Sequence, residues 1–264
     1  MHAFKYHRAA SLSEAATLAG KGEAKLLAGG QSLVQAMKLR LASPSDLVDL
    51  GTLKELQGIK SDGRTVTVGA MTRHAEVERS AEVKKAIPAL AALAGMIGDR
   101  QVRAMGTCGG SIANSDPAAD YPAAVLALNA TITTNKGRYE ADKFFTGLYE
   151  TALKPGEIIT SVSFQVPKRA AYMKFKNPAS RFAIVGVFVA DFGGSVRVAV
   201  TGAGPCVFRQ ADMEKALAAK FAPESAAGVK QKKEGLNTDL HASAEYRAHL
   251  VSVMAKRAVE AALK

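Results

Sequence analysis

The sequence has no tryptophan and only two cysteines, Cys108 and Cys206, in no CxxC arrangement. Neither a disulfide framework nor a cysteine-bound zinc or iron–sulfur centre can be built from this chain alone. Aromatic residues make up only 6% of it, few for the stacking platforms on which single-strand nucleic-acid binders lay bases. Long apolar runs are also missing. The longest weakly polar stretches, Pro88 to Gly98 and Phe182 to Ala190, are far shorter than the roughly 20 residues of a membrane-spanning helix. The opening residues carry Lys5, Arg8 and Glu14 and lack the apolar core of a secretory signal. The expectation is a cytoplasmic protein with no membrane span. Acidic residues are in deficit, 24 against 35 basic, for a net charge of +11, and that excess asks for an anionic partner or a solvation role.

What is present is ordinary for a globular protein: 264 residues, 48% hydrophobic and 22% charged. Disordered, collagen-like and coiled-coil classes are excluded, and the length allows one large domain or two moderate ones. Ser11-Leu-Ser-Glu14 reads as a capping box opening a helix to Ala19, stopped by Gly20-Lys-Gly22. Lys25 to Ala28 and Leu47 to Leu50 read as strands of a compact βαβ-like unit, and Arg64 to Ala70 alternates with period two as a half-buried strand does. A helix is expected over Glu82 to Met96, with Pro88 as a kink or restart. From Ile97 to Asp120 small residues dominate and periodicity is lost, so this stretch reads as a long loop system.

Further on, Tyr121 to Leu128 is helical in pattern, Ala130 to Thr134 with Gly137 to Glu140 forms a hairpin, and Ile158 to Val166 is a strand ending at Pro167. Lys168-Arg-Ala reads as a linker. Strands follow at Ala171 to Phe175, Phe182 to Ala190 and Ser195 to Thr201, then helices near Ala211 to Lys220 and Ser243 to Leu263, the last placing Tyr246, Leu250, Met254, Ala258 and Ala261 on one core-facing stripe. The reading is α+β, with one domain at 1–167, divided near residue 56, and a second at 168–264.

Common nucleotide motifs are absent. Gly20-x-Gly22 and Gly202-x-Gly204 lack the third glycine of a dinucleotide fingerprint, and there is no GxxxxGK[ST]. His2, His7, His74, His241 and His249 form no metal-ligand spacing. His74, following a possible N-cap at Thr72, reads as a first-turn surface residue, and His241 and His249 as solvent or interface residues. Two glycine pairs remain, in Ala28-Gly29-Gly30-Gln31-Ser32-Leu33 and Gly106-Thr107-Cys108-Gly109-Gly110-Ser111. Adjacent glycines let backbone N–H groups crowd around one anion, and the hydroxyls of Ser32, Thr107 and Ser111 add donors. Two such loops fit a diphosphate of about two negative charges gripped from both sides. Gly106-x-Cys108-x-Gly110 also has the spacing of a nucleophile elbow, with His241 as a possible base, but the charged Asp99 to Arg103 segment is a poor lead-in strand. The other reading of Cys108 is a small apolar packing residue. Asp116 and Pro117 fit a helix start. Asp120 suits a sugar diol, and Lys174 is either a surface lysine or, if two domains close on a cofactor, a cation reaching its ring or phosphate.

With these segments assembled, the sequence resembles the FAD-binding (medium) subunit of the molybdenum hydroxylases, a family that includes the medium chain of carbon monoxide dehydrogenases and the flavin subunit of xanthine dehydrogenases. The carriers are AGGQSL at 28–33 followed by MKLRLASPSDLVDL, VGAMTRHAEVERS at 68–80, IGDRQVRAMGTCGGSIANSDPAADYPA at 97–123, KPGEIITSVSFQVP at 154–167, KFKNPASRFAIVGV at 174–187 and LHASAEYR at 240–247. The resemblance implies the two-subdomain FAD-binding fold of the PCMH or vanillyl-alcohol-oxidase type, followed by a small α+β C-terminal domain. It implies cofactor contacts at Leu27, Ala28, Gly29, Gly30, Gln31, Ser32 and Leu33, at Thr107, Cys108, Gly109, Gly110, Ser111 and Asn114, and at Ile97, Asp120, Ile159 and Lys174. It further implies a large molybdenum-cofactor partner and a small [2Fe–2S] partner, in a dimer of heterotrimers, with electrons passing through FAD to an external acceptor.

Departures from the pattern are Arg100 for Pro, Cys108 for Ile or Val, Asn114 for His, and Asn177-Pro178 and Arg181 for an Arg-Arg and an Asp. The last group bears on local salt bridges of the second domain. The competing classes are a basic nucleic-acid-binding module and a cysteine hydrolase using Cys108. FAD accounts for only about two charges, so the remaining excess reads as partner-facing surface at Lys38, Arg40, Arg100 and Arg103, or as solubility in the Lys230 to Lys233 run.

Overall fold

The computed structural model describes residues Met1–Lys264. The chain opens with β1 (Lys5–Arg8), α1 (Leu12–Ala19), β2 (Lys25–Leu27), α2 (Leu33–Lys38) and β3 (Asp46–Asp49). Ser11 caps α1 by accepting the Glu14 N–H at 3.2 Å, while the Glu14 carboxylate reaches back to the Ala10 N–H at 2.8 Å. The strands form a parallel sheet in the order β1-β3-β2, so β2 lies at an edge and delivers the first glycine loop from its C-terminal end. The sequence pattern missed β1 and α2, both too short for a periodicity to show. Ala9, Ala15, Val48 and Leu50 form the centre of a small apolar core.

A larger antiparallel sheet follows, in the order β4-β5-β10-β6-β7, from β4 (Ile59–Ser61), β5 (Thr65–Gly69), β6 (Thr131–Thr134), β7 (Arg138–Glu140) and β10 (Ile159–Gln165). A short hairpin, β8 (Phe145–Gly147) and β9 (Glu150–Thr151), precedes β10. Val66 and Val68 of β5 and Val162 and Phe164 of β10 alternate onto the core face and are fully buried. Between β5 and β6 the chain forms six helices: α3 (His74–Arg79), α4 (Ala81–Ala86), α5 (Pro88–Gly95), α6 (Arg100–Met105), α7 (Cys108–Asn114) and α8 (Tyr121–Ala127). The helix expected over 82–96 is two. Ile87, at φ −139° and ψ 74°, lies outside the helical region that a following proline disfavours, and Pro88 starts the next helix.

The stretch 97–120, expected as loop, contains α6 and α7. Asp99 and Thr107 cap them, accepting N–H groups of Val102 and Gly110. Their small residues hide the helical period for a steric reason: a Cβ on Gly109 would lie 2.5 Å from that of Ala70.

The C-terminal part is an antiparallel sheet of β11 (Arg169–Lys176), β12 (Ala183–Asp191), β13 (Val196–Thr201) and β14 (Phe208–Arg209), with α9 (Ala211–Ala219), α10 (Pro223–Ala227) and α11 (Ala244–Ala262). β11 begins at Arg169, so Lys168 to Ala170 is not a linker. Every residue of β12 is buried, because both faces are covered. Val185, Val187 and Val189 join the core under α11, whereas Phe188 and Ala190 join the core of the preceding unit. The buried stripe of α11 runs through Arg247, Leu250, Val251, Met254, Ala258 and Val259. Tyr246 is exposed and Ala261 half-buried, so the expected stripe is right only in its middle. No helix is long and apolar enough to cross a membrane.

Candidate functional site

The first glycine loop leaves β2 after Leu27, turns at Gly30 in the left-handed region (φ +71°) and enters α2 at Leu33. None of the backbone N–H groups from Ala28 through Leu33 donates to an acceptor within the protein. The Gln31 side-chain Nε2 donates to the Gly29 carbonyl at 3.2 Å, and the Gly30 carbonyl accepts the Val34 N–H at 3.2 Å. Ser32 makes no side-chain cap, which leaves its hydroxyl free. Consecutive donors without internal partners form an anion-binding nest.

The second loop lies directly against the first. A Cβ on Gly29 would sit 2.1 Å from the Met105 carbonyl oxygen and 2.6 Å from the Gly106 Cα, and one on Gly110 would sit 3.2 Å from the Ala28 Cβ. Here the structure differs from the expectation that both loops offer backbone donors. The N–H groups of Cys108 and Gly109 donate to the carbonyls of Thr72 and Ala70, at 3.0 and 2.8 Å, and that of Ser111 to Thr107 at 3.1 Å. Gly110 donates to the Thr107 hydroxyl at 3.2 Å. The second loop is stitched to the end of β5 and backs the first, contributing the Ser111 hydroxyl and the Thr107 N–H as its remaining donors.

Beneath these loops lies His74, 4% exposed. It occupies the first turn of α3, as expected, but not the surface: its N–H donates to the Gly106 carbonyl at 2.9 Å, and its Nε2 stands 2.6 Å from where a Gly106 Cβ would be. Thr72 is not its N-cap, since the Thr72 hydroxyl is bound to the backbone of Gly58. Burial, aided by the Arg103 charge, lowers the His74 pKa to about 4. Its ring is 5.4 Å from that of Tyr121, and its Nδ1 and the Tyr121 hydroxyl have no protein partner. Cys108 is fully buried, and burial pushes its thiol far up. A nucleophile needs a thiolate, so the hydrolase reading fails and Cys108 packs in the core; His241 is exposed, as expected.

Asp120, at the start of α8, is 4% exposed. Its Oδ1 accepts the Tyr172 hydroxyl at 2.5 Å, and the Lys174 ammonium lies 3.0 Å from Oδ1 and 3.1 Å from Oδ2. Lys174 also donates to the Met96 carbonyl at 2.9 Å. Burial pushes the Asp120 carboxyl up, opposed by Lys174 and Tyr172. Lys174 is therefore no surface lysine: its side chain is 2% exposed and pins the C-terminal sheet to residues 96–120.

Nearby, Arg181 donates to the Gly98 carbonyl at 3.1 Å, and Asn177 accepts the N–H groups of Ala179 and Ser180, so the divergent 177–181 segment closes its own turn. Arg103 is held by Glu78 and the Ile97 and Gly98 carbonyls, which removes it from the exposed set that Lys38, Arg40 and Arg100 retain. Leu27, Leu33, Ile97 and Asn114 are half-buried, and Ile159 is buried in the sheet core. Sequence reasoning missed His74 as a buried support and missed Tyr172 altogether. The signal for Tyr172 was available, because it lies two residues before Lys174 on one strand and so shares its face.

Residues 2–168 match the family described as "FAD binding domain in molybdopterin dehydrogenase". The chain belongs to this family. It is 36% identical to the carbon monoxide dehydrogenase medium chain of Hydrogenophaga pseudoflava, over 98% of this chain and 96% of that one. It is also 36% identical to the nicotine 6-hydroxylase medium subunit of Paenarthrobacter nicotinovorans, over 97% and 96%. Among solved structures it superimposes on quinoline 2-oxidoreductase from Pseudomonas putida 86 with a TM-score of 0.90 at 29% identity, covering 99% of this chain and 97% of that one. For reconstituted carbon monoxide dehydrogenase from Oligotropha carboxidovorans the values are 0.88 and 33%, covering 99% and 98%. The α+β fold is thus that of the molybdenum hydroxylase FAD subunits, its cofactor is FAD, and the chain is an FAD-dependent oxidoreductase subunit.

Proposed function

We propose that the chain is the electron-relay subunit of a multi-subunit molybdenum hydroxylase, assembled with a large molybdenum-cofactor subunit and a small [2Fe–2S] subunit as a dimer of heterotrimers. In this reading residues 1–167 hold FAD and residues 168–264 close over it. The observation that carries the reading is the row of unpartnered N–H groups from Ala28 to Leu33, walled by Met105, Gly106 and Gly110. That donor set fits a diphosphate and leaves no room for side chains between the loops.

Ala28 to Ser32 bind the diphosphate through backbone N–H groups, with Ser111 and Thr107 adding donors from the second loop. Leu27, Leu33, Cys108 and Gly109 shape the walls, Ile97 packs on the cofactor, and Asp120 accepts one of its sugar-chain hydroxyls. The Lys174 ammonium opposes the burial that pushes the Asp120 carboxyl up, and Asn114 and Ile159 complete the contact set. Bound FAD supplies the exchange between single electrons and electron pairs, and the protein supplies binding, orientation and electrostatics. No side chain of the site is required as a general acid or base for an organic substrate.

The test is purification from the native source. The account expects this polypeptide to co-purify with a large and a small subunit, and its flavin absorbance to bleach when the [2Fe–2S] partner is reduced. A chain that purifies alone, or a flavin that stays oxidised beside a reduced partner, contradicts the relay.

A further inference from the structure

Tyr172 is 2% exposed and its ring is stacked on Phe188, centroids 6.0 Å apart at 30°. Its hydroxyl runs past the neighbouring strand to reach Asp120. In the β11–β12 register Tyr172 faces Phe188, and Lys174 faces Gly186. A Cβ on Gly186 would lie 2.2 Å from the Tyr172 hydroxyl oxygen. The gap in β12 is thus shaped for a phenol.

We propose that Tyr172 is a positioning residue for the cofactor: its hydroxyl, admitted by Gly186, holds the Asp120 carboxylate in the orientation in which it accepts a hydroxyl of bound FAD. This rests on the reading of Asp120 as a cofactor contact. The division of labour follows from the two donors. Lys174, held also by the Met96 carbonyl, lies 3.0 Å from Oδ1 and 3.1 Å from Oδ2 of Asp120, so it neutralises the carboxylate without distinguishing its two oxygens. A phenol on a ring clamped by packing has one donor in one direction, and it meets only Oδ1. An ionised carboxylate has about four acceptor positions, so sites remain for the cofactor. The titratable groups facing Asp120 are Tyr172 and Lys174 from β11 and Tyr121 from its own helix.

The sign of the effect is fixed by these contacts. The Tyr172 hydrogen bond favours the ionised carboxylate, so its removal makes Asp120 easier to protonate. FAD retention should then be lost at a higher pH as the solution is acidified. The experiment is FAD titration of the full chain across pH, followed by flavin absorbance and circular dichroism, for wild type, Tyr172→Phe, a fluorinated tyrosine at position 172, and Asp120→Asn.

Tyr172→Phe keeps the ring and is expected to weaken FAD binding roughly tenfold or more, as for a lost hydrogen bond to a charged group, with the acid limb moved upward. The fluorinated ring, a stronger donor of nearly the same shape, is expected to move that limb downward. If Asp120→Asn weakens binding while the Tyr172 variants leave affinity, acid limb and flavin dichroism unchanged, Tyr172 is a structural residue and the positioning role is overturned. If Asp120→Asn itself binds FAD as the wild type does, the placement of Asp120 on the cofactor fails first.

Discussion

Gly29 shows how much a single residue decides. Its missing Cβ allows the two glycine loops to touch, because any side chain would meet the Met105 carbonyl at 2.1 Å. Gly29→Ala is therefore expected to push the loops apart, cost about 1–3 kcal/mol as an overpacking substitution and abolish stoichiometric FAD. Gly137→Ala, where a Cβ meets nothing within 4 Å, should leave both stability and flavin content unchanged. Denaturant unfolding and flavin absorbance of the two variants check this.

His74 makes a prediction of its own. Its folded pKa is about 4 against an ordinary 6.5, so between those values the unfolded chain binds the proton and the native one does not. Stability should fall as pH drops through that window, by a total of about 3 kcal/mol. His74→Gln should flatten the dependence, measured as urea midpoints at pH 7 and 5. The glycine pairs and Asp120 could be singled out in the sequence because the chemistry that marks them is local, whereas Lys174 stayed open between a surface lysine and a cofactor-side cation. His74 was not legible as a buried residue, since its burial is created by Gly106, more than thirty positions later in the chain.

At the scale of elements, β5, β6, β7 and β10 of the large sheet were readable, the longer of them because they alternate between a core face and an open face, whereas the three-residue edge strand β4 was not. β12 was readable as an unbroken apolar run, since it is covered on both sides. α6 and α7 were invisible for the opposite reason. They are short, charged or glycine-rich, and they are held by caps and by the end of β5 rather than by an apolar stripe. Thr107 is the clearest of these caps, as its hydroxyl takes the Gly110 N–H. Thr107→Ala is expected to destabilise the protein by about 1 kcal/mol and to loosen FAD binding through the second loop, whereas Thr107→Ser should retain both. Thermal unfolding with and without FAD separates the two effects.

For the molecule as a whole, the net charge of +11 exceeds what a diphosphate uses. Arg103 is consumed internally by Glu78, and Lys174 by Asp120, while Lys38, Arg40 and Arg100 stay exposed. The two sheets meet where β11 sends Lys174 and Tyr172 into Asp120 and where Phe188 enters the neighbouring core. No periodicity in the sequence announces a contact of this kind, which joins positions far apart in the chain. The central claim is that the Ala28 to Leu33 donors, backed by the second loop, hold the diphosphate of FAD. The most direct measurement is the affinity of the purified full chain for FAD and for riboflavin, which shares the flavin ring but has no phosphate. The account predicts stoichiometric FAD binding and riboflavin binding weaker by at least about a hundredfold, consistent with several charge-assisted hydrogen bonds. Equal affinities, or no flavin bound at excess FAD, would contradict it.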